Sequence, residues 1–428
     1  MRLQDNTEGG CAKSMIIKIN PGCVNRLSLM NMLLFLMVFG LFTIDNRAIL
    51  NISTALALLL SVYLFCKEKV NPLSSIGEFL KERKSLLFFS LWCLFSIAFF
   101  TYENEYLAAL ELLFKDWRYP LVMWLMLIAF KEHLHMIKKT YVFSAILTLS
   151  YIVLAVPIIR FLKNNPQELY LQLRYGFAFY VVMLFPFVLT SAVILKQRYL
   201  KIPLLAVAFL SFVFLLYTGS RGGIVSLIIE TIIVMLILSK DIKKFIFSMF
   251  VIAVIAGVGL AAAYNIFPQV KGKIEQTTKL TNVTSSRDKI LTQRYPLVMD
   301  SVKNNLFGIG YGNSTYDQYL WDHNAPREDG VFNSETNKYN LDEPLFITVL
   351  YNVGFGGLIL FIASIFVNIQ AQIRSIKINK DVFSVSIFAS FVGYFLVYCM
   401  FEKMFMEIYL IYTLLAFYLA NNKSECKR

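Results

Sequence analysis

The 428 residues are 57% hydrophobic and only 16% charged, with a mean hydropathy of +0.60. Soluble domains average roughly 45–50% apolar and about 25% charged, so a water-soluble globule is excluded. The net charge of +13 invites a nucleic-acid partner, but its placement follows the gaps between apolar runs, and no nucleic acid is expected.

Twelve apolar runs are long enough to be spans, near 28–44, 48–66, 85–101, 107–130, 140–159, 175–195, 202–218, 224–238, 246–264, 344–369, 382–400 and 404–420. A span needs about 20 predominantly apolar residues, so the fold class is an all-α polytopic integral membrane protein. Of the 41 Lys and Arg, 24 fall in the even-numbered gaps and the two termini. Positive charge in short loops marks the cytoplasmic side. Both termini, residues 1–27 and 421–428, are therefore expected inside. The long polar loop, residues 265–343, faces the opposite compartment, between spans one to nine (28–264) and spans ten to twelve (344–420). No cleavable signal peptide and no internal repeat are apparent. None of the six cysteines lies in that loop, so no disulfide is expected. The three histidines show no metal-ligand spacing, and neither metal nor cofactor is expected.

The loop carries nine Lys/Arg and ten Asp/Glu, so an anion site there needs particular arginines held in place. Pro268 to about Lys279 has helical spacing, Thr277–Ser286 reads as irregular, and Arg294–Asn305 reads as one helix. That helix runs into Gly308-Ile309-Gly310-Tyr311-Gly312, which must turn. Span ten begins with Asp342 as a possible N-cap and Pro344 in the first turn.

Four places can carry chemistry. Tyr217-Thr218-Gly219-Ser220-Arg221-Gly222-Gly223 sits at the outer junction of spans seven and eight. An arginine at that depth is costly unless paired or functional; it is either an anion site with Ser220 beside it or a snorkelling anchor. Arg294 and Arg287 precede the loop helix, and each is a bidentate phosphate ligand or a surface residue paired with Asp288 or Asp300. Lys115, Asp116 and Arg118 in span four form a local ion pair, or Arg118 faces the cavity of Arg221. Glu343 is a general base for a hydroxyl or complements the helix dipole. His323 reads as a surface histidine, and Glu402-Lys403 as a solvated turn.

In layout and in motifs from Tyr217 to Leu360 the chain resembles the O-antigen ligase and polymerase superfamily of bacterial envelope glycosyltransferases. Thr218-Gly219-Ser220-Arg221 matches its T-x-S/T-R element. Arg294 through Asn304-Asn305-Leu306-Phe307-Gly308-Ile309-Gly310 matches its loop arginine and G-x-G turn, about one helical turn short, which keeps Arg287 in play. Where the ligases carry His-Asn, nine residues and Gly-x-x-Gly, this chain has Glu343-Pro344, nine residues and Gly354-Phe355-Gly356-Gly357. The glutamate shifts weight from ligase to polymerase.

The resemblance implies a metal-independent glycosyltransferase of the bacterial inner membrane. Its donor would be an undecaprenyl-diphosphate-linked glycan, held by Arg221 and Arg294, with Arg287, Arg118 and Ser220 as further contacts. Glu343 would be the base. The acceptor would be a sugar hydroxyl of another lipid-linked repeat unit for a polymerase, or lipid A–core for a ligase. Membrane lipids and a chain-length regulator are further implied partners. A flippase is the rival of a different class.

Overall fold

The computed structural model describes residues 21–43, 47–68, 71–102, 105–163, 166–239, 241–278, 287–328, 331–334, 336–341, 344–378, 380–402 and 406–420. In chain order its helices are α1 (Pro21–Leu41), α2 (Arg47–Glu68), α3 (Pro72–Glu82), α4 (Lys84–Phe100), α5 (Tyr106–Ala129) and α6 (Leu134–Ser150). A π-helical turn, Tyr151–Ala155, leads into α7 (Val156–Phe161), followed by α8 (Pro166–Ile194), α9 (Arg198–Thr218), α10 (Arg221–Leu238) and α11 (Ile242–Ile266). The loop holds α12 (Pro268–Thr278), α13 (Arg287–Val298), α14 (Val302–Phe307), α15 (Asn313–Asp322) and a short antiparallel pair, β1 (Phe332–Asn333) and β2 (Lys338–Tyr339). The chain closes with α16 (Leu345–Ile378), α17 (Val382–Ser390, continued by a π-helical Phe391–Val397) and α18 (Met406–Leu415).

In their described residues the twelve apolar runs are helical apart from a residue or two at their ends. Among the described residues seven helices are long and apolar enough to cross a membrane, or eight if α3 and α4, bent by 94°, count as one. The protein is a multi-pass, all-α membrane protein. Many of its apolar side chains face outward, among them Leu59 and Ile232, as a lipid-facing surface requires. Inside, α8 is the most enclosed span, with 89% of its apolar window buried.

The loop differs from the expected single helix Arg294–Asn305. α13 starts seven residues earlier, at Arg287, and ends at Val298. Ser301 then caps a separate α14 by accepting from Asn304 N at 3.1 Å. A hydroxyl at that position satisfies an orphan N–H and starts a new helix. Pro344 stands just before α16 rather than inside its first turn, its carbonyl accepting from Ile347 and Thr348. Asp342, the expected cap, lies outside the described residues.

What fixes the loop to the bundle is a joint between two glycine motifs. α16 breaks at Gly354, whose φ is 68°. The carbonyls freed by the break find partners: Ile309 N donates to Tyr351 O (2.9 Å), Gly310 N to Asn352 O (3.2 Å) and Trp92 Nε1 to Val353 O (2.9 Å). Gly308, at φ 75°, faces the same break, and a Cβ on it would lie 2.4 Å from Asn352 C. A Cβ on Gly354 would lie 2.3 Å from Leu306 C. Both positions need the left-handed region and zero side-chain volume at once. Phe307 then wedges against Phe100, with ring centroids 4.1 Å apart, and stacks on Trp92 at 5.4 Å.

This joint also orders the ends of the bundle. α16 carries the chain away from the loop to Ile378, and α17 brings it back toward Met400. Tyr398, near the end of that return, lies beside Ser220. The α9–α10 turn is therefore at the loop's end of the bundle, and the α3–α4 elbow at the far end.

Candidate functional site at the loop end of the bundle

α9 ends by the left-handed Gly219 (φ 59°), whose N–H reaches Leu216 O. Ser220 caps α10, accepting from Gly223 N at 3.2 Å. The glycines here are packed tight: a Cβ on Gly223 would meet Ser220 Oγ at 2.9 Å, and one on Gly222 would meet the Phe401 side chain at 3.3 Å. Arg221 is the first residue of α10 and is half-buried. A cation at a helix N-terminus is set against the dipole, whereas that same terminus attracts an anion. Guanidinium and helix head therefore call for the same ligand.

A second arginine, unremarked in the sequence, stands in this region. Arg174 of α8 donates from Nη1 to Tyr170 OH at 2.9 Å and lies within electrostatic reach of Glu402. Tyr170 meets the Tyr217 ring edge-on at 6.4 Å, and Tyr217 in turn meets Phe267 at 5.2 Å. Tyr217 and Phe267 also line an open apolar groove of about 490 Å³. Its other walls come from α7, α8 and α9, including Phe161, Leu173 and Phe214. The mostly apolar groove thus borders the Tyr217–Tyr170 ring pair, next to which Arg174 stands. Glu402 is half-buried rather than the solvated turn residue expected.

Across the α17–α18 turn lies a second polar cluster. Asp116 accepts from Tyr311 OH at 2.6 Å, while Lys115 pairs with Glu111 at 2.6 Å. The Asp116 carboxylate thus ties span four to the loop, and it makes further interactions besides this bond. Burial, and then the Asp116 charge, push the Tyr311 phenol well above its ordinary value, so it stays a donor. Arg118 lies over the Tyr119 ring at 4.3 Å. Asp116, Arg118 and Arg47 are all within electrostatic reach of Glu407, in the first turn of α18. Glu402 and Glu407 are five residues apart, so the two clusters are separated by at most about 17 Å of chain.

Arg294 is placed otherwise. It is fully buried inside the loop. Its Nη2 donates to Val331 O at 3.0 Å and its Nη1 approaches Tyr316 OH at 3.5 Å. The guanidinium also lies 5.7 Å from each of the Tyr316 and Tyr339 ring centroids. These contacts all lie within the loop, and Arg294 and Arg221 each make further interactions besides. Arg287 opens α13, and its side chain lies outside what is described. Glu343 lies outside the described residues altogether. His323 stacks on Tyr319 at 3.9 Å, and its Nδ1 lies 2.9 Å from Tyr319 O, as part of the loop's own packing.

Residues 206–362, from within α9 to within α16, match the family model described as O-antigen ligase. Over that segment, somewhat more than a third of the chain, the protein is similar to the O-antigen ligase and polymerase superfamily. Its members are glycosyltransferase-like enzymes. The matched stretch contains Ser220, Arg221, Arg294 and both glycine motifs of the joint. It excludes Arg174, Asp116, Arg118, Glu402 and Glu407, so the superfamily segment supplies only part of the polar surface at this end. No curated protein matches the sequence significantly.

Proposed function

We propose that this protein is an O-antigen polymerase of the bacterial inner membrane, with both termini in the cytoplasm and the loop in the periplasm. It transfers a glycan from undecaprenyl diphosphate to a sugar hydroxyl of another lipid-linked repeat unit. The observation that carries this reading is the half-buried Arg221 at the head of α10, at the end of the bundle where the apolar groove opens. A donor that is part polyprenyl chain and part diphosphate suits both features. The chain lies in the groove past Tyr217, and the diphosphate meets Arg221, Ser220 and Arg174.

In the reaction the acceptor oxygen forms a bond to the anomeric carbon as the bond from that carbon to the diphosphate oxygen breaks. The electron pair leaves on the diphosphate, where guanidinium groups take up the growing charge. They stay charged at any relevant pH and need no metal to do so. The acceptor's proton passes to a carboxylate; Glu343 takes that part in this proposal, and inversion follows from a single displacement. Arg294 supports the site from inside the loop, by holding α13 to the 331–339 segment. No cofactor is required, and a chain-length regulator is a plausible partner for a polymerase.

A second reading, transfer of finished polymer to lipid A–core, is favoured by the description of the matched family as ligase. Surface polysaccharide from a deletion strain separates the two. A polymerase deletion leaves core carrying a single repeat unit, whereas bare core with accumulated lipid-linked polymer would replace this proposal with the ligase. An unchanged ladder would remove both, and purified protein that lengthens a lipid-linked glycan without ATP would exclude a transporter.

A further inference from the structure

Far from the loop, at the α3–α4 elbow, a buried arginine has an unfilled binding edge. Arg83 is 3% exposed. Its position is set by backbone bonds on both sides: its N–H reaches Phe79 O at 2.9 Å, and its carbonyl accepts from Leu86 and Leu87 at 3.0 and 3.1 Å. Phe79 is locked in turn between Trp124, Phe417 and Tyr418. The guanidinium lies over the Phe417 ring at 5.5 Å, and Nη1 is 3.9 Å from the exposed Glu82 carboxylate. Nε and Nη2 are buried with no hydrogen-bond partner. Those two nitrogens form one edge of the planar group, the edge that takes two oxygens of a single oxyanion.

A polar ladder between α16 and α18 lies close by, its Tyr409 within electrostatic reach of Arg83. Ser364 bonds Tyr409, and Asn368 donates to Thr413 Oγ1 at 2.9 Å. One turn further along both helices come Gln372 and Phe417, the latter beneath Arg83. Gln372 is 1% exposed, and both its amide atoms are unpartnered, as is Asn368 Oδ1. Buried polar groups almost always find partners, and a buried charge without one is costlier still. Arg374 lies within electrostatic reach of Arg83, which adds to the positive excess. Meanwhile α3 runs at 94° to α4 with Leu73 exposed. A helix crossing the end of a bundle in this way lies along the membrane surface, at the depth of phospholipid phosphates.

We propose that the α3–α4 elbow is a phosphate-binding site, in which the Nε–Nη2 edge of Arg83 and the Gln372 amide hold one phosphate group. An anionic phospholipid headgroup is the source that the depth favours, since basic pockets between spans take such groups. The inference does not depend on the proposed reaction.

The test uses the whole purified protein, stripped of lipid in detergent. Native mass spectrometry after addition of phosphatidylglycerol should show one retained lipid per chain, with retention at least about tenfold weaker in Arg83→Gln. Thermal unfolding then separates the sources. Stabilisation by phosphatidylglycerol but not by inorganic phosphate identifies a lipid site; stabilisation by inorganic phosphate alone identifies a soluble anion, and both uphold a phosphate site. Stabilisation by neither, or the same retention in wild type and a folded Arg83→Gln, overturns it and leaves ordered water as the occupant. Should Arg83→Gln fail to fold, Arg83→Lys keeps the charge without the fork. It should bind several-fold more weakly, and wild-type binding by that variant would equally overturn the proposal.

Discussion

Arg221 stands half-buried at the head of a helix, at the end of the bundle that the apolar groove reaches. Arg294 is walled in by a carbonyl and two tyrosine rings of its own loop. One side chain keeps part of its surface exposed; the described bonds of the other tie segments of the loop together. The contrast teaches that a motif arginine states only that a planar cation is needed, and the neighbours decide whether it serves a ligand or a scaffold. It predicts that substitutions at the two positions fail differently, one in turnover and the other in stability.

The largest effect tests whether the two regions are separable at all. Gly354→Ala puts a Cβ 2.3 Å from the Leu306 carbonyl carbon at a left-handed φ, so either α16 straightens or the loop leaves its seat. A cost of about 4 kcal/mol or more belongs to such a position. Limited proteolysis should open the loop while the spans stay protected and α9–α10 stays intact. If the loop remained protected, the joint would not be what holds Arg294 over the bundle.

Next comes Arg221. Replacing it with Ala should cost about 10²–10³-fold in chain extension, the scale for losing one donor to a developing anion, with the thermal midpoint near wild type. Lys should recover little, since it offers a point charge in place of a fork. A large drop in thermal midpoint with residual activity intact would move Arg221 to the scaffold class alongside Arg294.

Arg294→Ala should show the reverse, with the loop destabilised by about 3 kcal/mol. A buried charge-assisted bond contributes about 1.5–3 kcal/mol and desolvated cation–π contacts about 2, less what the cavity regains by relaxing. Activity should fall only as far as the folded fraction falls, and proteolysis read beside chain extension measures both. Wild-type protection with lost activity would instead bring Arg294 to the diphosphate.

Much of this architecture was legible in the residues. The described parts of the long apolar runs are helical, and the glycines at 308–312 were readable as backbone that must turn, whereas 354–357 read only as a motif inside an unbroken span ten. Their meeting was not readable, because φ preference names no partner and the bonds that join them are backbone to backbone. The burial of Arg294 was hidden for the same reason: the Val331 carbonyl leaves no trace in the side-chain pattern. Arg174 was missed, and Glu402 was read as a solvated turn residue, because charged residues at span ends are ordinary anchors. The break at 299–301 did carry a signal, a serine three residues before Asn304, which the apolar periodicity across it concealed.

The smallest effect reads the second contact between loop and bundle. Tyr311→Phe removes the donor to Asp116 but keeps the ring, and Asp116 has further interactions, so about 1 kcal/mol of loop docking is expected to go. Its pH dependence gives the sharper test. Burial raises the Tyr311 pKa above its unfolded value of about 10, so the folded loop holds this proton more tightly than the unfolded one. The contribution is complete below about pH 10 and is lost as the pH climbs through the folded value. Wild-type loop protection should therefore be level between about pH 6 and 9 and fall beyond 10. Tyr311→Phe should begin slightly lower and fall less steeply. It keeps some slope, because burial and then the Asp300 charge raise the Tyr319 phenol as well. Identical alkaline limbs in the two proteins would mean that the phenol is not buried against Asp116. The joint at Gly308 and Gly354 would then hold the loop without it.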